Sequence, residues 1–219
     1  IVAVLVPVAI ERWGGIVGGI LGTLPTTIVP ATIGMYIEAG SLDLATSMSL
    51  IPFWMLLNAL FVASWVVYPR INPQATLGKM IFVSLGFWSF LAVLMTISLT
   101  ESLNYFSELS VGIAGFVCLV GLGLWMTWIP IKAPKGKNSV TKQVLLIRGL
   151  AAATAIGIAV QFASMGLPII AGLASVFPAI FLTTMVALWI AQGAEVPTGA
   201  AGPMMLGGSS VGMYSLIAP

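Results

Sequence analysis

Residues Ile169–Ala191 read IIAGLASVFPAIFLTTMVALWIA, a run without a single charged residue. At 1.5 Å of rise per residue, a helix of this length crosses a hydrocarbon core of about 30 Å. Similar runs recur along the 219-residue chain, which is 59% hydrophobic and only 6% charged. A soluble domain carries about 25% charged residues. The sequence therefore predicts an all-α, polytopic transmembrane helical bundle.

Length and hydropathy predict about eight spans. They are Ile1–Ile10 (partial), Gly14–Ile37, Leu44–Tyr68, Lys79–Leu99, Ser110–Ile131, Val144–Ala163, Ile169–Ala191 and Gly199–Ala218. Short segments rich in turn-forming and helix-breaking residues separate several of them, for example Glu38–Asp43 and Pro69–Gly78. Short connections of this kind imply that consecutive spans cross in opposite directions.

Charge predicts an orientation for these spans. If they cross alternately, every basic residue falls on one side, namely Arg12, Arg70, Lys79, Lys132, Lys135, Lys137, Lys142 and Arg148. Glu38, Asp43, Glu101 and Glu108 fall on the other side. By the positive-inside rule, the Lys/Arg-rich loops are cytoplasmic, in a bacterial inner membrane or an equivalent organelle membrane. Five tryptophans lie near span ends, which is typical of interfacial anchors: Trp13, Trp65, Trp125, Trp128 and Trp189.

The composition excludes several kinds of chemistry. There is no histidine and one cysteine, Cys118, so zinc sites, histidine-ligated haem and histidine-assisted nucleophilic catalysis are absent. The net charge of +2 is too small to indicate nucleic-acid binding. The sequence thus predicts a protein that is not an enzyme and that carries no cofactor or metal.

Two of the spans resemble each other. Gly18–Pro25 aligns with Ala171–Pro178 at an offset of 153 residues, and small residues precede a proline in both. Because the two segments lie five spans apart, they would cross the membrane in opposite senses. This predicts an inverted-topology repeat of five plus five Pro-broken helices, an architecture common among secondary transporters. The corresponding division places a first repeat at 1–143 and a second, incomplete repeat at 144–219.

The predicted substrate site lies where the two prolines break their helices near the bilayer midplane. Polar residues around Pro25 and Pro178, with the amides deepest in other spans, complete the set: Thr23, Thr26, Thr27, Ser175, Thr183, Thr184, Asn58 and Gln161. Their side chains could bind a solute or satisfy backbone carbonyls freed by the prolines. The alternative is a pair of kinked packing helices whose hydroxyls bond to their own backbone.

Two functions follow from these alternatives. The first is a secondary transporter or permease for a small neutral or anionic solute, with Na⁺ as a candidate coupling ion on unwound carbonyls. No carboxylate lies securely inside a span, which disfavours a proton-coupled carrier. The second is a non-catalytic structural subunit of a larger membrane complex. In either case the bilayer is a partner, and a homo-oligomer is left open.

One resemblance to a known family accompanies this interpretation. The stretch ERWGGIVGGILGTLPTT at 11–27, followed by YIEAG at 36–40 and PFW at 52–54, resembles the GlpM-like family of small bacterial inner-membrane proteins. The resemblance covers about 60 residues, and this chain is much longer. It implies a membrane location and little about chemistry.

Overall fold

The computed structural model describes residues 28–128, 142–192 and 195–218. Within these ranges the chain forms seven α-helices and no strand, so the all-α prediction is confirmed. The helices are α1 (Ile28–Ile71), α2 (Leu77–Ser102), α3 (Glu108–Trp128), α4 (Lys142–Ser164), α5 (Pro168–Ser175), α6 (Ala179–Gln192) and α7 (Glu195–Ile217).

Helix α1 doubles back on itself. Its backbone is helical over 44 residues, yet the Thr32 hydroxyl lies 3.3 Å from the Met48 sulfur. In a straight helix these residues would be about 24 Å apart. The helix therefore bends sharply between Thr32 and Met48. Two apolar stretches of α1 are distinguished below, a short first arm at Ile28–Ile37 and a long second arm at Leu44–Ile71.

The second arm of α1 is the centre of the bundle. Its side chains Trp54, Phe61 and Trp65 are completely buried, and α1 packs against each of the other six helices. The outer helices α2 and α3 instead direct large apolar side chains outward, among them Phe82 (81% exposed) and Trp128 (87% exposed). An apolar exterior around an apolar core is what a lipid environment requires.

The predicted number of spans is wrong. In the described residues, four stretches are long and apolar enough to cross a membrane: Leu44–Ile71, Leu77–Ser102, Glu108–Trp128 and Pro168–Val186. These correspond to four of the eight expected spans and identify a helical membrane protein. Ile1–Ile10 lies outside the described residues, and Gly14–Ile37 is described only from Ile28.

The two remaining expected spans, Val144–Ala163 and Gly199–Ala218, form the helices α4 and α7 but do not join the four. Of α4, the described stretch Ala153–Ser164 forms one of the shorter apolar helices. Helix α7 is built largely from Gly, Ser, Ala and Pro. The segment Gly199–Ala218 thus lacks charge without being strongly apolar, which is one reason why the expected number of spans was too high.

The expected five-plus-five inverted repeat depends on the predicted number of spans, so it is wrong as well. Its second copy does break at Pro178, as predicted. Its first proline, Pro25, lies outside the described residues, so the structure provides no second broken helix to compare with it. The division of the chain at residues 143 and 144 stays a prediction.

Glycines set the distance between α1, α3 and α7. A Cβ atom added at Gly115 of α3 would lie 2.5 Å from the Cα of Phe53, and one at Gly112 would collide with the carbonyl oxygen of Ser49. Gly202 of α7 meets the backbone of Thr127 at 2.8 Å in the same way. Small residues at such positions let helix backbones approach closely, which drives association inside a membrane.

We expect Gly115→Ala to lower the free energy of unfolding by about 1–3 kcal/mol, because its methyl group would overpack the contact between α1 and α3. The matched control is Gly121→Ala on the same helix, where an added Cβ meets nothing within 4 Å. That control should stabilise the protein by up to about 1 kcal/mol through helix propensity. Unfolding by heat or SDS in detergent micelles measures both, and equal effects would contradict the close approach.

Candidate functional site

The membrane-spanning stretch Pro168–Val186 is a discontinuous helix. Helix α5 ends at Ser175 and α6 begins at Ala179, so Val176–Pro178 form a break between them. Pro178 has no N–H to donate and its ring obstructs the preceding turn. The amides of Val176 and Phe177 bond instead to Leu173 and Ala174, three residues back, at 3.3 and 3.2 Å.

Asn58 satisfies a carbonyl at this break. In a continuous helix the carbonyl of Val176 would accept a hydrogen bond from the amide of Ile180. Here the Asn58 Nδ2 donates to the Val176 carbonyl at 2.6 Å. Asn58 lies on the second arm of α1 and is only 2% exposed. A side chain from another helix therefore replaces a missing backbone donor.

Trp88 of α2 completes the arrangement. Its Nε1 donates to the Asn58 Oδ1 at 3.0 Å, which orients the amide so that the Nδ2 faces Val176. The Trp88 ring also meets Phe177 edge to face, with 5.4 Å between ring centroids. Helices α1 and α2 therefore both contact the break, α1 through the Asn58 amide and α2 through the ring of Trp88.

The second arm of α1 runs parallel to α5 and α6. The Ser47 hydroxyl donates to the Pro168 carbonyl at 3.1 Å, Trp54 lies beside Gly172, and Asn58 bonds to Val176. These partners, Pro168, Gly172 and Val176, are spaced four residues apart, about one helical turn. Further along, Trp65 packs against Trp189 of α6 at 6.0 Å between ring centroids. One face of α1 therefore follows the broken helix along its whole length.

Two buried donors on this face have no acceptor among the residues that the structure describes. They are the indole N–H groups of Trp54 and Trp65, and both side chains are completely buried. A Cβ built at Gly172 would lie 3.3 Å from the Trp54 Nε1, so this N–H lies against α5 one turn before the break. An unsatisfied buried donor costs about 1–3 kcal/mol.

Helix α5 is short and is bounded by irregular backbone at both ends. It has eight residues. Before it, the chain turns at Gly166 with φ of +69°, a conformation that glycine adopts without strain. After it comes the break at Val176–Pro178. Its polar ties to the second arm of α1 are the bonds from Ser47 and Asn58.

The structure brings some of the predicted site residues together. Asn58 bonds to Val176, two residues before Pro178, and Ser175 lies next to the break, buried, with its hydroxyl bonded to the Gly172 carbonyl at 2.7 Å. The hydroxyls of Thr183 and Thr184 bond one turn back, to the carbonyls of Ala179 and Ile180. Gln161 is exposed on α4 and bonds to Ser164 at 3.5 Å. Thr23, Pro25, Thr26 and Thr27 lie outside the described residues.

Sequence reasoning missed the tryptophans of the site. Trp54 and Trp88 lie in the middle of their spans, away from the ends where indoles anchor to the interface. Their position at midspan could have indicated this role, because the N–H of a tryptophan buried there usually finds a hydrogen-bond partner. Trp65, expected to be an interfacial anchor, is completely buried as well. Trp125 and Trp128 at the end of α3 are exposed, as anchors would be.

Comparisons with protein-family models, with curated proteins and with solved structures found no match to this chain. The resemblance to the GlpM-like family stays a prediction. Among the described residues, no group of three or more His, Cys, Asp or Glu side chains could hold a metal ion. The class of protein that the fold and the break define is a helical integral membrane protein with a discontinuous span.

Replacing Asn58 should destabilise the fold strongly. Asn58→Ala leaves the Trp88 N–H and the Val176 carbonyl buried without a partner. We expect the free energy of unfolding to fall by about 2–4 kcal/mol. Asn104→Ala, at an exposed position between α2 and α3, should change it by less than about 0.5 kcal/mol. Unfolding in detergent micelles compares the two.

A double-mutant cycle tests the link to Trp88. Trp88→Phe alone should destabilise the protein, and its effect should shrink by at least about 0.5 kcal/mol in an Asn58→Ala background. Strictly additive effects would mean that the bond between Trp88 and Asn58 does not stabilise the fold.

Proposed function

We propose that this protein is a secondary transporter or permease for a small neutral or anionic solute. Its solute would pass between the second arm of α1 and the broken helix formed by α5 and α6. The observation that carries the proposal is the helix break inside an apolar span, at Val176–Pro178, held by the buried Asn58 amide. Discontinuous helices at membrane depth are typical of transporter substrate sites.

The geometry of α5 supports a movement of this helix relative to α1. Swinging α5 away from α1 requires two hydrogen bonds to be exchanged, those of Ser47 and Asn58. Each contributes a net of about 0.5–1.5 kcal/mol. Irregular backbone on both sides of α5 can absorb the change in dihedral angles, as hinge residues do. The two bonds together contribute about 1–3 kcal/mol to the cost of this movement, in addition to the apolar packing of α5 against α1.

The distribution of charge supports the solute class. In the four apolar stretches, the charged residues lie only in end turns: Arg70, Lys79, Glu101 and Glu108. A carrier of cations or protons usually keeps an acid near its site. Donor groups without a neighbouring acid favour a neutral or anionic solute. Coupling to Na⁺ through backbone carbonyls is part of the same proposal.

The orientation in the membrane is also proposed from charge. Arg70 and Lys79 flank the connection between α1 and α2, whereas Glu101 and Glu108 flank the connection between α2 and α3. These ends are separated by the length of α2, about 39 Å. The positive-inside rule places the first connection in the cytoplasm of a bacterial inner membrane or an equivalent compartment.

A second candidate function has an observation of its own. The hydroxyls of Ser175, Thr183 and Thr184 all bond to their own helix backbone, and both ends of the Asn58 amide are occupied. Such a contact, whose polar groups have partners within the protein, fits a structural subunit that packs within a larger membrane complex. The two functions differ in whether water reaches the break.

Cysteine labelling tests which of the two is correct. In a Cys118→Ser background, Ala179→Cys places a thiol at the start of α6, and Ala59→Cys places one on α1 at an equal exposure of 3%. A membrane-impermeant thiol reagent is applied from each side of sealed vesicles. We expect Ala179→Cys to react from at least one side and Ala59→Cys to stay unlabelled, because only the break would open to water.

Asn104→Cys, exposed at the end of α2, shows from which side that loop is reached. Labelling of Ala179→Cys that depends on the side and slows with a solute would support the carrier. If neither alanine position reacts while Asn104→Cys does, water does not reach the break. That result would contradict the carrier and support the function as a structural subunit.

A further inference from the structure

A hydrogen-bond donor and an acceptor of α1 face the same point beside α5. A Cβ atom added at Gly172 would lie 3.3 Å from the Trp54 Nε1 and 3.3 Å from the Ser47 carbonyl oxygen. Both groups are therefore within reach of one small group placed where a side chain at position 172 would begin. Because glycine stands there, no side chain of α5 occupies this position.

Trp54 is the member of this pair that has no partner. Its side chain is completely buried, and its Nε1 has no acceptor in the part of the chain that the structure describes. An indole N–H can only donate. The carbonyl of Ser47 lies within helix α1, and a carbonyl that accepts the helical hydrogen bond keeps a second lone pair for another donor. An unsatisfied buried group of this kind calls for an explanation, such as a bound molecule or a functional role.

The chemistry of the pair selects a group that both accepts and donates. A hydroxyl does both through one oxygen atom. A carboxylate can only accept, so its oxygen would meet the Ser47 carbonyl oxygen without a proton between them. An ammonium can only donate, so it would leave the Trp54 N–H unpaired. A neutral hydroxyl also avoids the large cost of burying a charge without a counter-charge.

We propose that the Trp54 indole N–H and the Ser47 carbonyl bind a hydroxyl group of a neutral solute beside Gly172 when α5 moves away from α1. The indole donates to the hydroxyl oxygen, and the hydroxyl donates its proton to the Ser47 carbonyl oxygen. This inference rests on the proposed carrier function and names its substrate class. Water offers the same chemistry, so a water molecule is the second source of a hydroxyl at this position.

The position of Gly172 connects the hydroxyl site to the movement of α5. Gly172 lies midway between Pro168 and Val176, whose carbonyls accept the two hydrogen bonds that tie this part of the broken helix to α1. Separating those two bonds would uncover the Trp54 indole. A solute bound there thus contacts the surface that becomes accessible only when α5 moves.

The test uses the full-length protein with ¹⁵N-labelled indoles in lipid nanodiscs. The chain has seven tryptophans, and therefore seven indole N–H signals, of which Trp54→Phe identifies one. Ethylene glycol is titrated as the hydroxyl probe. Acetone, sodium acetate and acetamide match it in size and serve as a neutral acceptor, an anionic acceptor and an amide. We expect ethylene glycol to shift the Trp54 signal saturably, and at a lower concentration than the other three.

Gly172→Ala tests the position of the site. Its methyl group would lie 3.3 Å from both the Trp54 Nε1 and the Ser47 carbonyl oxygen and would take the place of the hydroxyl. We expect ethylene glycol to bind at least about tenfold more weakly. The matched control is Gly121→Ala, where an added Cβ meets nothing within 4 Å, and it should bind as the unchanged protein does. Unchanged signals from the other indoles show that each variant keeps its fold.

Magnetisation transfer from water to the Trp54 indole N–H, measured without solute, distinguishes the two sources of the hydroxyl. A saturable shift with ethylene glycol that also removes this transfer supports a solute hydroxyl. Transfer from water without any response to ethylene glycol assigns the site to a water molecule and overturns the proposed substrate class. The inference is also wrong if Trp54 responds to neither, if one of the three other solutes binds more tightly, or if Gly172→Ala binds ethylene glycol unchanged.

The outcomes also separate this inference from the carrier function. If ethylene glycol fails to shift the Trp54 signal while Ala179→Cys still reacts in a side-dependent way, the inference is wrong and the carrier proposal survives with another solute. Saturable binding of ethylene glycol without any labelling at Ala179→Cys would support the hydroxyl site and contradict the carrier.

Discussion

The bond from Asn58 to the Val176 carbonyl is the constraint on which the architecture around the broken helix depends. Inside a membrane every backbone polar group must find a partner within the protein. A proline in the middle of a span releases backbone groups, and a neighbouring helix must then compensate. Asn58 does so at 2.6 Å, Trp88 orients it, and together they fix where α1, α2 and the broken helix meet.

The contrast with the other prolines shows why a sequence alone could locate this break only in part. Pro52 and Pro203 lie inside α1 and α7, and these helices continue through them. Pro178 coincides with a true interruption, where a buried amide lies within reach of a freed carbonyl. The sequence marked Pro178 as a central proline and Asn58 as a deep amide. That they meet depends on a contact between residues 118 positions apart, which no local pattern encodes.

Physical reasons also explain why the membrane class could be predicted from the sequence, whereas the number of spans and the burial of Trp65 could not. The helical membrane class followed directly from the scarcity of charge. The number of spans did not, because the part of α7 that follows Glu195 is uncharged yet rich in glycine and serine. Trp65 shows a similar limit: its place near a span end is typical of an anchor, yet it is buried against Trp189. The rule for interfacial tryptophans says nothing about which way a helix face is turned.

The long sequence separation of the central contact has a consequence for how the chain is made. Trp88 follows Asn58 by only 30 residues, so it can pair with the amide as soon as α2 has entered the bilayer. Val176 follows 118 residues after Asn58. At a synthesis rate of about 5–20 residues per second, it emerges about 6–24 s later. During that interval the acceptor that α1 itself offers the Asn58 amide nitrogen is the Met55 sulfur at 3.8 Å, which is a weak one, so this donor depends on water or the insertion machinery for a stronger partner.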